Sequence, residues 1–267
     1  MSYRKKALIT GSSRGIGKGI ALKLAAQGAD VAIHYYRNRE AADDTLAEVR
    51  RRGADGFIVQ ADVSNPAEIA RMFDEVGERF EGLDIFVANA RPEAAEFFYP
   101  PLEITPVQWD SAFDSQVKAF LVAVRQAVQL MRDGGRIVAI THSPGGRTGS
   151  LQPWVAMGSA KAALESLVRY FAVALAKRGI TVNAVSPGWI EDSVLNSLPE
   201  PAQDAIRRWH TRGWTPMGRL GTPADIGNAA ALLCSEDAGW ITGQVLFADG
   251  GASLMDAGHP PELQLGW

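Results

Sequence analysis

The 267-residue sequence holds one cysteine, Cys234. An internal disulfide is therefore excluded, and a lone thiol suits a reducing cytosol. Excess charge is lacking too. Lys and Arg number 27 against 30 Asp and Glu, a formal net charge of −3, and no basic run stands out. That balance argues against a nucleic-acid partner. Patches such as AFLVAV are far shorter than the roughly 20 apolar residues that cross a bilayer, so no membrane segment is expected. The opening MSYRKKALITGSS has a basic start and only a short apolar run, unlike a secretion signal. By elimination the expected location is cytoplasmic. Low-complexity linkers and internal repeats are missing as well. The length suits one α/β domain over residues 1–267.

Present instead is an alternation. ALIT, VAIHYY, GFIVQ, DIFVANA, RIVAIT, ITVNAVS and GQVLFAD read as buried strands. Between them lie helical stretches such as GKGIALKLAAQG and PAEIARMFDEVGERF. Repeated β-α-β alternation implies a parallel sheet with helices on both faces and right-handed crossovers. The segment 189–222 breaks the rhythm, being long, Pro-containing and rich in Trp. Following a strand in such a sheet, it falls on the side where ligands bind and reads as a lid.

The stretch ALITGSSRGIGKGIALKLAAQG is a strand, a glycine turn and a helix. Gly11, Gly15 and Gly17 allow a sharp turn and close approach of a pyrophosphate, which the following helix N-terminus attracts. Ser12, Ser13, Arg14 and Ile16 complete the loop. The competing reading is a tight turn without a ligand. The next strand decides which dinucleotide. A carboxylate at its end would hold the ribose 2′-hydroxyl of NAD. Here it ends in Tyr36, Arg37 and Asn38, with Arg14 in reach from the loop. Two guanidiniums suit a 2′-phosphate, so the expected cofactor is NADPH. Against this, Arg37 and Arg39 can be a solvated helix start.

These motifs resemble the short-chain dehydrogenase/reductase family over nearly the whole chain. TGSSRGIG is similar to its cofactor loop, and Ala61–Val63 to the Asp–Val pair at the adenine, here Asp62 and Val63. VANA, with Asn89 and Ala90, resembles the Asn-Ala-Gly turn after the fourth strand, though Arg91 replaces the glycine. ITVNAVSPG and ITGQVLFADGG are similar to late family motifs, placing Pro187, Gly188 and Ile190 at the cofactor. The resemblance implies a single Rossmann-like, doubly wound domain with a seven-stranded parallel sheet. It also implies a homotetramer or homodimer, with helices near 107–131 and 156–177 forming the interface. The stretch around SAKAALESL is similar to type III enoyl-acyl-carrier-protein reductases and 3-oxoacyl reductases.

That family works with a tyrosine proton donor, a lysine, a serine and an asparagine, and the chain departs from this set. Within QPWVAMGSAK, Lys161 matches the lysine, which binds the nicotinamide ribose. Met157, four positions earlier, takes the usual tyrosine place, and Trp154 takes the place used by enoyl reductases. Neither a thioether nor an indole releases a proton at neutral pH. Gln116 stands where the asparagine holds a water, and His142 or Ser143 stands at the serine position. Asp192 replaces a threonine that touches the cofactor; it is expected to face solvent, with Ser193 as substitute.

A ketone reductase without its acid loses about 10²–10⁴-fold, whereas reduction of an activated alkene depends on that acid less. Trp154, Ser143 and His142 are candidates to stabilise an enolate, and His142 is also a candidate acid. Tyr99 is a further candidate donor from the loop holding Phe97 and Phe98. With Trp189, Trp209, Trp214 and Met217 these side chains predict a large apolar pocket for a bulky acyl or polycyclic substrate, free or carrier-bound. The alternative is that the lid aromatics pack on one another. The leading expectation is an NADPH-dependent reductase of a conjugated C=C or C=O. The competing ones are a non-redox cyclase, dehydratase or isomerase, and a non-catalytic NADPH-binding protein. No metal ligand set is expected.

Overall fold

Short apolar strands buried on both faces are what a parallel sheet between two helical layers requires. The computed structural model describes residues 3–92, 98–142, 153–192, 194–256 and 258–265. Its strands are β1 (Lys6–Ile9), β2 (Asp30–Tyr35), β3 (Gly56–Gln60), β4 (Leu83–Ala88), β5 (Met131–Ile140), β6 (Thr181–Pro187) and β7 (Val245–Ala248). They form one seven-stranded sheet in the order β3-β2-β1-β4-β5-β6-β7. Every pairing is parallel. Residues in β2 and β6 are buried throughout.

The period-two pleat divides the core. Ala7 and Ile9 join the apolar cluster on one face, and Leu8 joins the cluster on the other. The first cluster is covered by α1 (Gly15–Ala26), α2 (Arg39–Arg51) and α8 (Pro223–Leu233). The second is covered by α3 (Pro66–Phe80), α5 (Ala119–Leu130) and α6 (Val155–Leu175). Phe73, Phe86 and Phe120 are fully buried there, each contributing about 1.5–3 kcal/mol. Glycine sets the spacing of α1 against α8: a Cβ on Gly227 would stand 2.5 Å from the Gly19 carbonyl oxygen.

Helix starts follow their sequence signals. Asn65 caps α3 by accepting from the Ala67 N–H, with Pro66 in the first turn. Thr105 and Gln108 form a capping box at α4 (Pro106–Phe113), as do Thr222 and Asp225 at α8. Between α4 and α5 the chain makes a π turn, Asp114–Lys118, an irregularity found often at functional sites. Beyond β6 come α7 (Glu200–Trp209) and a second π turn, His210–Trp214. The short α9 (Pro261–Gln264) packs near that turn, where a Cβ on Gly213 would meet Pro261 and Leu265.

The strand order reverses between β1 and β4. In an open α/β sheet that reversal leaves a crevice beyond the strand C-termini, and the site lies there.

Candidate active site

A cleft of about 1350 Å³ runs along the C-terminal ends of the strands. Its first wall is the glycine loop. Gly11 and Gly15 sit at φ +64 and +56, in the left-handed region that glycine enters without strain. A Cβ on Gly11 would lie 2.9 Å from Ala90 Cα, and one on Gly17 would collide with the Gly11 carbonyl. The loop is thus shaped for close backbone approach, and it opens the N-terminus of α1, where N–H groups point outward. Ser13, Arg14 and Ile16 line the cleft with the three glycines.

Ser12 does not behave as expected. It is fully buried and absent from the cleft wall. Its hydroxyl donates to the Ile9 carbonyl (2.7 Å) and accepts from the His34 N–H (3.0 Å). It holds the loop in shape rather than facing a ligand. His34, which the sequence reading passed over, does the same. Its Nδ1 accepts the Gly11 N–H at 2.8 Å, so its Nε2 carries the proton and donates to the Ala61 carbonyl at 3.0 Å. Burial pushes its pKa down to about 4, keeping this tautomer neutral.

Asn89 donates to the Thr10 and Gly11 carbonyls, tying β4 to the loop. Asn89, Ala90, Asp62 and Val63 all line the cleft, as do Pro187, Gly188 and Ile190. Tyr36, Arg37 and Asn38 line it as well. Arg37 stacks on the Tyr36 ring at 4.5 Å and donates to its hydroxyl. Asn38 spends its side-chain oxygen on the Ala41 N–H, capping α2, so only its amide nitrogen is left for a ligand.

The reaction end is built from β5 and α6. Lys161 is buried, and its Nζ donates to Gln116 Oε1 and to the Ile140 carbonyl, both at 2.6 Å. An ammonium has three donors, so one remains for the cleft that Lys161 lines. Burial first, then the Arg91 charge, brings its pKa down to about 7, while Glu165 opposes the shift. Glu165 lies one helical turn after Lys161, a spacing visible in the sequence, and accepts from Thr141 at 2.8 Å. Gln116 stands at the place expected to hold a water for a relay. It lies off the cleft and reaches Lys161 directly, its amide nitrogen donating to the Ala90 and Ser115 carbonyls.

Met157 is fully buried in α6 and lines the cleft beside Lys161. Trp154 lies at the helix start, with the His142 ring 5.4 Å and the Phe98 ring 6.2 Å away. His142 follows β5, hydrogen-bonded to the Pro187 carbonyl. Burial and the Lys161 charge lower its pKa to about 4, which favours the neutral imidazole at pH 7. Ser143, Phe97 and Ser193 lie outside the described residues. Asp192, expected in solvent, is buried on the cleft wall and accepts from the Val194 N–H at 2.9 Å. Burial raises its pKa, and the charges of Arg91 and Arg14 pull against that rise.

The segment after β6 supplies an apolar wall. Pro199, Ala202, Ile206 and Trp209 of α7 and its approach share one helical face toward the cleft, joined by Trp189. Trp214 packs on Trp209 at 4.9 Å instead, and Met217 is exposed. Neither lines the cleft. Tyr99 is off the cleft too; its backbone bridges to Trp154.

The profile described as Enoyl-(Acyl carrier protein) reductase matches residues 11–253. The chain is 40% identical to a 1-cyclohexenylcarbonyl-CoA reductase of Streptomyces collinus, over 97% of this chain and 93% of that one. It is 30% identical to a tetrahydroxynaphthalene reductase of Pyricularia oryzae, over 94% and 90%. Among solved structures, the angucycline C-6 ketoreductase LanV with bound NADP superposes with a TM-score of 0.84 at 35% identity, covering 94% of this chain and 96% of that one. With the cleft at the strand reversal and a matching profile over most of its length, the chain belongs to the short-chain dehydrogenase/reductase family.

Proposed function

We propose that the chain is an NADPH-dependent reductase of a conjugated C=C beside a carbonyl in a bulky apolar substrate, either an acyl thioester or a polycycle. One observation carries this reading. The cleft keeps a dinucleotide cradle and a buried lysine, while the described side chains at its reaction end include no phenol.

The cradle fits the cofactor by shape, since a Cβ on Gly11 or Gly17 would fill it. Gly11 to Gly17 would hold the pyrophosphate, Arg14 and Arg37 the 2′-phosphate, Asp62 and Val63 the adenine, and Lys161 the nicotinamide ribose. NADP bound in the LanV structure supports the same choice. When bound, the cofactor supplies hydride to the β-carbon. The chain's part is to exclude water, orient the carbonyl and stabilise its oxygen as charge develops there. Met157 cannot donate, and neutral His142 donates its N–H to Pro187. Carbonyl reduction, which needs a proton at oxygen, therefore suffers, whereas an enolate can take its proton at carbon from water. The apolar wall of Trp189, Ile206 and Trp209 supports a bulky substrate, as does the similarity to the 1-cyclohexenylcarbonyl-CoA reductase.

A second reading has Lys161 in its favour. With its pKa brought to about 7, it holds both protonation states near neutrality and can serve a non-redox dehydratase or isomerase. A stoichiometric assay with 1-cyclohexenylcarbonyl-CoA separates them. NADPH consumption equal to saturated product supports the reductase, and turnover without consumption supports the lysine-based reaction. As the subunit interface we propose the exposed apolar face made by Leu121 of α5 with Tyr170 and Val173 of α6, to be checked by light scattering.

A further inference from the structure

Arg91 stands directly after Asn89 and Ala90 at the end of β4, and its side chain lines the cleft. The resemblance set out above leads one to expect glycine there, so neither the cofactor cradle nor the sheet requires this side chain. Its placement is defined on three sides. The preceding carbonyl, of Ala90, accepts from Gln116, which in turn accepts from Lys161. Its own Nη1 donates to the Pro92 carbonyl at 2.8 Å, fixing one edge of the guanidinium. Its charge acts on Lys161 to one side and on the Asp192 carboxyl to the other. Asp192 is the second departure from the family's pattern on the wall of this cleft.

We propose that Arg91 is a catalytic residue that binds the substrate's carbonyl oxygen and carries the negative charge formed on it, in place of the missing phenol. The proposal rests on the reductase reading above. Hydride joins the β-carbon with its electron pair. The C=C pair then moves between the α-carbon and the carbonyl carbon, and the C=O pair moves onto oxygen. That oxygen receives Arg91 N–H bonds, and the α-carbon afterwards takes a proton from water. The overall change is one reduced nicotinamide and one proton consumed per saturated product. A guanidinium suits this post because it never deprotonates in a protein and presents several donors in one plane. Lys161 is a weaker candidate because two of its donors are already committed to Gln116 and the Ile140 carbonyl. The Pro92 carbonyl holds one edge of the Arg91 guanidinium at the cleft.

The test is binding of 1-cyclohexenecarboxylate, which mimics the charged oxygen, and of its neutral carboxamide, to the NADP-loaded protein by calorimetry. The native protein should prefer the carboxylate. Arg91→Ala should reduce that preference by about tenfold or more, with Arg91→Lys in between. NADPH affinity, followed by fluorescence, should stay within about threefold in both variants. Circular dichroism checks folding, and Arg91→Lys or Arg91→Gln serves if Arg91→Ala does not fold. An unchanged preference in the variants overturns the proposal, as does a native protein that does not bind the carboxylate. A parallel loss of NADPH affinity overturns it too, since Arg91 would then be a ligand of the cofactor's phosphates. Retained carboxylate binding without any turnover of 1-cyclohexenylcarbonyl-CoA overturns the reductase reading instead, leaving Arg91 as an anion-binding residue.

Discussion

Lys161 Nζ and Gln116 Oε1 are 2.6 Å apart, joined directly across the base of the cleft. The π turn at Asp114–Lys118 brings Gln116 there, and its extra methylene closes a gap that an asparagine would leave to water. Replacing Gln116 by Leu removes a charge-assisted bond worth about 1.5–3 kcal/mol from a buried ammonium. Gln116→Leu should therefore lower the melting temperature and reduce kcat/KM by about ten- to a hundredfold. Gln116→Asn should fall between this variant and the native protein, because water can bridge the shortened amide. Equal kcat/KM in all three would show that the contact has no part in turnover.

Arg37 and Arg14 line the cleft, and we propose that they choose between the two nicotinamide dinucleotides. No carboxylate stands at the end of β2 to hold a 2′-hydroxyl, and Arg37 lies over the Tyr36 ring on the cleft wall. Arg37→Ala should reduce the NADPH-over-NADH ratio of kcat/KM by about ten- to a hundredfold, with the NADH value little changed. Arg14→Ala should act in the same direction. A native preference for NADH would refute the assignment outright.

Acid should weaken the fold through His34, His142 and His210, whose pKa values are all pushed down by desolvation. His34 and His142 each fall from an ordinary value of 6.5 to about 4. Between those values the unfolded chain binds protons that the native one refuses, so stability falls as pH drops through the window and the loss is complete below about pH 4. Each contributes about 3 kcal/mol of that loss as an order of magnitude. Urea midpoints taken at about pH 7 and about pH 5 measure the slope. His34→Leu should flatten it. It should also weaken NADPH binding at neutral pH, since the Gly11 N–H loses its acceptor. A slope unchanged by His34→Leu would mean that His34 does not titrate in this range.

The sheet was legible because each buried strand is an apolar run, and the glycine loop because three small residues have one physical use between a strand and a helix. All but Ser12 of the residues expected at the cofactor line the cleft. What escaped was the direction of side chains. Ser12 and Ser13 are neighbours of equal chemistry, and only the loop's backbone decides that one turns inward. Asp192 reads as a solvated acid until the cations Arg91 and Arg14 are brought to it from distant parts of the chain. Trp209 and Trp214 look alike in sequence, yet one forms the wall and the other packs behind it. Glu165 was within reach of sequence reasoning, since four positions on a helix is one turn, and it is the acid that Lys161 lacks on its N-terminal side.

The absence of the phenol can be tested by restoring it. Met157 lies four positions before Lys161 on α6, fully buried and on the cleft wall, so a tyrosine there would point its hydroxyl into the reaction end. The ring is larger than the thioether chain, and overpacking should cost about 1–3 kcal/mol. In return, the Lys161 charge lowers the phenol's pKa and gives the site an acid matched to carbonyl oxygen. Met157→Tyr should raise reduction of a bulky apolar ketone such as a tetralone by about a hundredfold over the native chain, while reduction of the conjugated C=C changes far less. The pH profile provides a second readout: ketone reduction by Met157→Tyr should decline at alkaline pH as the phenol ionises. If Met157→Tyr folds, binds NADPH as the native chain does and gains no ketone reduction, then a phenol at this position does not supply the proton for carbonyl reduction.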